Sequence, residues 1–415
     1  MDEKVPHFST FGKNYVRRFQ DTTIFEDIFY KILNQGVDAG FVDPVVLIID
    51  STHVKANANK RKYKKKHVRR AARFYQNELE QEINDDREAH GKKRFTPKKK
   101  DENDRRLTKE STTDSESGYY VKGEREKQFA YSFHTACDRN GFVLGTIVTP
   151  GNIHDSIILN PLLELIIHRF TVPFAVVADS AYKTAPIVHL LLRQCILPVF
   201  PYTRPKGVKG MFKTNAFYND AYYDCYLCEN NQQLVYRTTT REGRREYVSD
   251  PKICETCPFL ERCTKSQTMQ KVIHRHLWQD AIDEVEHLRH TPVNRQLYAR
   301  RKETIERVFA DAKEKHGMRW TRYRGLKKVT MQTMLTFAAL NLKKLANWSW
   351  DSSRNPNGVS YFLRIHKTNP HFQVDMRICL QSEMPDTRSS DVRHFTCSFA
   401  EMGKRVKTDN RGETA

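Results

Sequence analysis

Two short apolar runs, residues 45–50 (VVLIID) and 174–179 (FAVVAD), each end in an aspartate. Runs of this length, rich in β-branched residues and bounded by polar segments, read as buried strands. Far downstream, RRKETIERVFADAKEKHG reads as a helix that carries Glu306. Rigid strands aim Asp50 and Asp179 at one point and a packed helix supplies Glu306. The chain is thereby constrained to a fold in which three distant segments converge.

The elements between these runs complete the expectation. FAYSFHTACD, a turn at DRNG and FVLGTIVTP read as a hairpin. SIILNPLLELIIHRF carries an apolar stripe through Ile158, Leu162, Leu165 and Ile166 and reads as a core helix. After FAVVAD come a helical stretch, TAPIVHLLLRQ, and a further strand, ILPVF. Strand, hairpin, helix, strand, helix, strand is a mixed α/β order that brings Asp50 and Asp179 to the same end of neighbouring strands. Single continuous helices are expected over 298–316 and 329–348.

Other segments are set apart by composition. Residues 1–40 alternate aromatic and charged positions with a helical look, leaving an apolar face that needs a partner. From His53 to Arg73 there are ten Lys/Arg and no acid, and residues 76–118 are mostly charged, so 53–118 reads as a basic, mobile arm. Residues 205–291 turn to Tyr, Cys, Arg and Asn and read as an inserted subdomain between two parts of a core, 41–204 and 292–350. Residues 351–415 lose periodicity and read as a tail.

Seventy Lys+Arg against fifty Asp+Glu give +20, which points to a polyanionic partner. No apolar run approaches the roughly 18 residues of a membrane span, and no signal segment opens the chain, so a cytoplasmic location is expected. Five of the nine cysteines cluster as CYLC, twenty-five residues, CETC, five residues, C. Cys225, Cys228, Cys254, Cys257 and Cys263 read either as the ligands of one structural Zn²⁺, which takes four thiolates, or as reduced thiols.

Taken singly, each acid reads as a strand-end cap or a member of a solvated ion-pair face. Together they are what two-metal phosphoryl transfer requires, with Mg²⁺ or Mn²⁺ held by Asp50, Asp179 and Glu306. Lys302, Glu306 and Lys313 stand four and seven residues apart, one helix face, with Ile305, Phe309 and Ala312 beside them as anchors. A lysine one or two turns from a metal-binding acid can hold a phosphate. Lys64, Lys65 and Lys66 in the basic run mix with Tyr63 and His67; Arg319, Arg322 and Arg324 mix with Trp320 and Tyr323. Both groups suit phosphate contact and stacking on unpaired bases.

The segments IDSTHVKANANK, VKGEREKQFAYSFHTACD, VTPGNIHDS, VVADSAYKT and ETIERVFADAKEKHGMRWTRYRGLKKV resemble transposases of bacterial insertion sequences, of the DDE class. The resemblance implies a ribonuclease H-like mixed sheet with flanking helices, interrupted by the Cys-rich insertion, and Asp50, Asp179 and Glu306 as the triad. Glu306 and Lys313 match the E-K half of the family's YREK signature. Tyr298 lies one residue further from the glutamate than that pattern, and Lys302 stands in the arginine position, with Arg301 beside it as its substitute; the resemblance implies that both contact DNA. By the same resemblance His134, His154 and Asp155 lie near the acidic pocket; on local grounds His134 reads equally as a core residue, and Asn152 and Asp155 as helix caps. The implied partners are element ends and target DNA, bound by a homodimer at paired ends in the nucleoid. The implied activity is cleavage and strand transfer, with a purely hydrolytic nuclease or an inactive DNA-binding remnant as the alternatives. Residues 1–40 are similar only to the closing part of a longer helical region in the family. That leads to two expectations: an aromatic face without its partner, and DNA binding with little sequence preference.

Overall fold

The computed structural model describes residues 7–19, 21–69, 74–96, 105–123, 126–204 and 207–350. In chain order the elements are α1 (Phe8–Arg17), α2 (Ile24–Asp38), β1 (Val46–Lys55), β2 (Tyr63–Arg69), α3 (Gln76–Ala89), β3 (Arg105–Ser111), β4 (Gly118–Lys122), β5 (Glu126–Cys137), β6 (Val143–Pro150), α4 (Asp155–Arg169), β7 (Ala175–Val177), α5 (Ala185–Arg193) and β8 (Leu197–Val199). Then follow β9 (Tyr218–Asp220), β10 (Cys225–Leu227), β11 (Gln233–Thr239), β12 (Arg244–Val248), α6 (Pro251–Glu255), α7 (Leu260–Cys263), β13 (Val272–His276), α8 (Gln279–Leu288), α9 (Pro292–Arg300), α10 (Ile305–Lys315) and α11 (Leu326–Trp350).

The first eight strands form one sheet in the order β2-β3-β4-β5-β1-β7-β8, with β6 also on β5. Its centre is the mixed arrangement of a ribonuclease H-like fold: β1 runs antiparallel to β5 and parallel to β7, and β7 runs parallel to β8. Helices α4 and α5, and a second group of α2, α10 and α11, share one core with the sheet. Every residue from Val46 to Ile49 is buried, as expected of a strand covered on both faces. The strands β9 to β13 form a separate five-stranded sheet within the Cys-rich segment.

Four expectations are corrected. First, β1 does not end at Asp50 but continues to Lys55 on β5, because the longer β5 still offers partners after β7 has ended. Second, the charged stretch after His53 is folded across its described residues: β2, β3 and β4 extend the sheet. Within it, α3 buries Leu79 and Ile83 against Trp278, and buried Asp86 receives Arg245. Third, the aromatic face of residues 7–40 has its partner within this chain. Phe25, Phe29, Tyr30 and Leu33 are buried where α2 meets α11, and Tyr15 stacks on Tyr323 with ring centroids 4.3 Å apart. Fourth, 298–316 is not one helix: α9 ends at Arg300, a 3₁₀ turn spans Arg301–Glu303, and Thr304 breaks the run (φ −113°, ψ −90°) before α10. Residues 351–415, read as a tail, lie outside the described residues. No helix among the described residues is long and apolar enough to cross a membrane.

Candidate active site

Strand β7 pairs with β1 only over Val46–Ile48, so the sheet opens on that side just before Asp50. Asp179 follows β7 by two residues and emerges at the same opening. Each carboxylate is fixed by a backbone N–H: Asp50 Oδ1 accepts from Ser51 at 2.8 Å, and Asp179 Oδ1 from Ala181 at 2.9 Å. The third acid arrives on α10, which buries Ile305, Val308, Phe309 and Ala312 and packs on β1. Glu306 sits in the first turn of α10, where the positive end of the helix dipole favours a carboxylate by a few tenths to about 1 kcal/mol. That position exists only because Thr304 breaks the helix.

Arg301, in the break, joins two of the acids. Its guanidinium donates to Asp50 Oδ2 and lies 3.6 Å from Glu306 Oε1. Sequence reading assigned Arg301 to DNA phosphate; here it is committed to carboxylates. Lys302, expected on the face of Glu306 and Lys313, lies in the 3₁₀ turn and off their helix. Lys313 keeps its place seven residues beyond Glu306. It is half-buried near Asp50, and burial followed by the nearby Arg319 and Lys122 lowers its pKa.

Asp155, the first residue of α4, adds a fourth carboxylate: it stands beside Ser51, its charge is felt by Asp50, and it feels the charge of Asp179 in turn. It is not the helix cap. That role falls to His154, whose Nδ1 accepts from Ser156 N at 3.2 Å. His134 is buried on β5, with Nε2 on Thr149 Oγ1 at 2.9 Å and Nδ1 3.4 Å from Asp155; burial lowers its pKa to about 3, so it is neutral. His134 thus stands beside Asp155, with its Nδ1 making no hydrogen bond. Tyr182 went unassigned in the sequence although it lies in VVADSAYKT. It is buried with its hydroxyl facing Asp155, Asp50 and Asp179. A tyrosine three residues past a candidate ligand was the available signal.

Burial pushes Asp50 up to about 6. Arg301 and the Ser51 N–H oppose that rise, and the charges of Asp179 and Asp155 add to it. A carboxyl whose folded pKa exceeds its unfolded value stabilises the fold below the unfolded pKa, about 4, and that stability is lost as pH rises through the folded value. Asp50→Asn should remove this dependence, which amounts to about 3 kcal/mol at most. Urea unfolding of both proteins between about pH 4 and pH 7 checks this; the two curves should diverge, and parallel curves would contradict it.

An open groove runs from this site along β2, β3 and β4, lined by His53, Lys65, Lys109, Tyr120, Asn152 and Asp155. His53 stacks on Tyr120 at 3.6 Å, and burial holds its pKa down at about 4. Of the predicted DNA contacts, Lys65 faces the groove, whereas Lys64 and Lys66 are paired with Glu110 at 3.1 and 2.5 Å. Residues 319–321 align beside the end of β1, with Thr321 N donating to Lys55 O at 2.8 Å, and Trp320 is exposed there. Arg324 is engaged by the Asn57 carbonyl at 2.9 Å and Arg319 by Glu314, while Arg322 remains at the surface.

Among the described residues, the three groups close enough to share one ion within 4.8 Å are Glu78, Glu82 and His189, not the triad. Glu78 is held by Arg193 and Glu82 accepts from the Trp278 indole, so that cluster clasps α3 to α5. In the Cys-rich segment, Cys228, Cys254, Cys257 and Cys263 line one cavity, and Cys225 does not.

Residues 227–346 match the family described as Transposase DDE domain. The match begins at the end of β10 and runs through α10 into α11, so it covers Glu306 and most of the Cys-rich segment. No curated protein matches the chain.

Proposed function

We propose that this chain, a transposase of the DDE class, cuts DNA at the ends of an insertion sequence and joins the freed 3′ ends to target DNA, as a pair of chains on paired ends. The observation that supports this best is the meeting of Asp50, Asp179 and Asp155 at the sheet opening, with Arg301 tying Asp50 to Glu306. The fit to a metal is chemical. The donors are all oxygens, they are crowded enough that burial and mutual repulsion raise the Asp50 pKa, and an arginine already occupies part of the position a cation would take. Asp50, Asp179 and Glu306 would hold Mg²⁺ or Mn²⁺, which when bound activates the attacking oxygen and stabilises the leaving one.

The protein's own groups set up an in-line displacement at phosphorus. The Ser51 and Ala181 N–H groups fix the two aspartates, and Asp155 stands beside Ser51 and His134. Lys313 stands near Asp50 where a scissile phosphate would carry developing charge. Lys65 and Lys109 in the groove draw the flanking backbone in. First water, then the released 3′-hydroxyl, attacks phosphorus, and the 3′ oxygen of the cut strand leaves.

An end-labelled duplex carrying a candidate terminus, incubated with the protein and Mg²⁺ or Mn²⁺, tests the reading on a denaturing gel. Cleavage followed by label joined to a second duplex supports it. Hydrolysis without joining would make the chain a nuclease, and no cleavage in either metal would leave a DNA-binding protein. Binding itself is expected to depend steeply on salt, with a log–log slope of about −0.9 for each phosphate contacted. Lys65→Ala together with Lys109→Ala should lower that slope by about two; an unchanged slope in a salt titration would remove the groove from the DNA path.

A further inference from the structure

Three separate segments of the Cys-rich region bring four thiols to the lining of one cavity; no three of these sulfurs lie within 4.8 Å of one another, so binding one ion would draw them together. Cys228 follows β10 in the tight turn to β11. There Asn231 takes a left-handed conformation (φ 51°), and the Cys228 N–H donates to the Gln232 carbonyl at 3.0 Å. Cys254 and Cys257 share a turn at the end of α6, closed by the bond from Cys257 N to Cys254 O at 3.1 Å. Cys263 ends α7 and feels the charges of Cys254, Cys228 and Cys257. All four are free of disulfides.

The surroundings are poor in apolar burial. The sheet's own buried cluster is only Phe217, Tyr226, Leu234, Tyr247 and Ile273. Neither α6 nor α7 contributes a buried residue, so little apolar burial holds them in place. Small units with so little core usually rely on a metal or disulfides. Lys271 donates to the Cys263 carbonyl at 2.8 Å and places a positive charge beside a group that would be negative with four thiolates bound.

We propose that Cys228, Cys254, Cys257 and Cys263 hold one structural Zn²⁺ that pins α6 and α7 to the second sheet, and that Cys225 has no part in it. Four thiolates from separate segments are the donor set of a closed tetrahedral zinc site. Cys225 lies on β10 itself and lines no part of the cavity, whereas Cys228 stands in the turn beyond the strand and does. Cys225 is buried and its charged neighbours are Asp220 and Asp224, with none of the four thiols among them. The proposal rests on no part of the transposase reading.

Full-length protein purified without chelator should contain one zinc per chain and no stoichiometric iron by plasma mass spectrometry. Alkylation with iodoacetamide, mapped by peptide mass, should spare Cys228, Cys254, Cys257 and Cys263 until a strong chelator removes the zinc, after which all four should react together. Cys225→Ser should retain the zinc, whereas Cys263→Ser should lose it. If the Cys263 variant does not fold, the alkylation pattern of the unaltered protein decides. Absence of zinc with no uptake of added Zn²⁺ by the reduced protein would overturn the proposal, as would iron in its place or chelation that leaves the four reactivities unchanged.

Discussion

Asp179→Asn is expected to abolish DNA cleavage and joining while leaving the fold and DNA binding intact, and Asp50→Asn and Glu306→Gln are expected to do the same. Each change keeps the shape of the side chain and removes the charge that a divalent ion needs. Metal stabilisation of a phosphoryl-transfer transition state is worth several kcal/mol, so the rate should fall on the order of a thousandfold or more. Glu306→Gln separates the roles of the helix and the strands, since Glu306 is half exposed and its one ion pair among the described residues is with Arg301 at 3.6 Å. Single-turnover cleavage on a fixed terminus, with binding measured in parallel, reads both quantities. Cleavage by the Asp179 variant within tenfold of the unaltered rate would sink the assignment.

Phe29→Ala is expected to destabilise the whole protein by about 3–5 kcal/mol, the range for deleting a buried phenyl ring. Phe29 is fully buried between α2 and the rest of the core and meets Tyr30 edge-on at 5.0 Å. The helix it packs with, α11, also clasps β6, where the Asn341 side-chain amide accepts from Val143 N and donates to Val143 O. Loosening α2 should therefore be felt by the sheet that positions Asp50. Urea denaturation followed by tryptophan fluorescence should show one transition shifted to lower urea. A loss below about 1 kcal/mol would mean that α1 and α2 are peripheral to the fold.

How far these features could be read from the sequence differs from place to place for physical reasons. The strand VVLIID and the hairpin around DRNG were legible because β-branched runs and turn residues report on local geometry. The break before Glu306 was not. RRKETIER is made of good helix formers, and the interruption comes with a tertiary contact, the pairing of Arg301 with Asp50 on a strand about 250 residues away. The segment KKKHVR looked like a solvated arm because β2 is an edge strand with lysines on both faces, leaving no alternation to detect. Helix α3 offered only Leu79 and Ile83 as apolar signal, and their partner, Trp278, lies across the chain. The pair Cys225 and Cys228 reads as one metal knuckle, but the strand ends between them, and only Cys228 in the turn reaches the cavity lined by the other thiols. Asp155 reads as a helix cap on local grounds and as a neighbour of the acidic pocket by resemblance; the structure gives the cap to His154 and leaves Asp155 beside Ser51 and the acids.

The central claim, that acids from β1, the loop after β7 and α10 share one metal-binding centre, is tested most directly by iron-mediated backbone cleavage. Fe²⁺ can replace Mg²⁺ at oxygen-ligand sites, and in the presence of ascorbate and peroxide it cuts the polypeptide near where it is bound. Fragment ends should cluster around Asp50, Asp155, Asp179 and Glu306, and excess Mg²⁺ should suppress all of them together. Cuts grouped instead near Glu78, Glu82 and His189, or cuts at Asp50 and Asp179 that persist unchanged in Glu306→Gln while Glu306 itself is never reached, would contradict a shared centre.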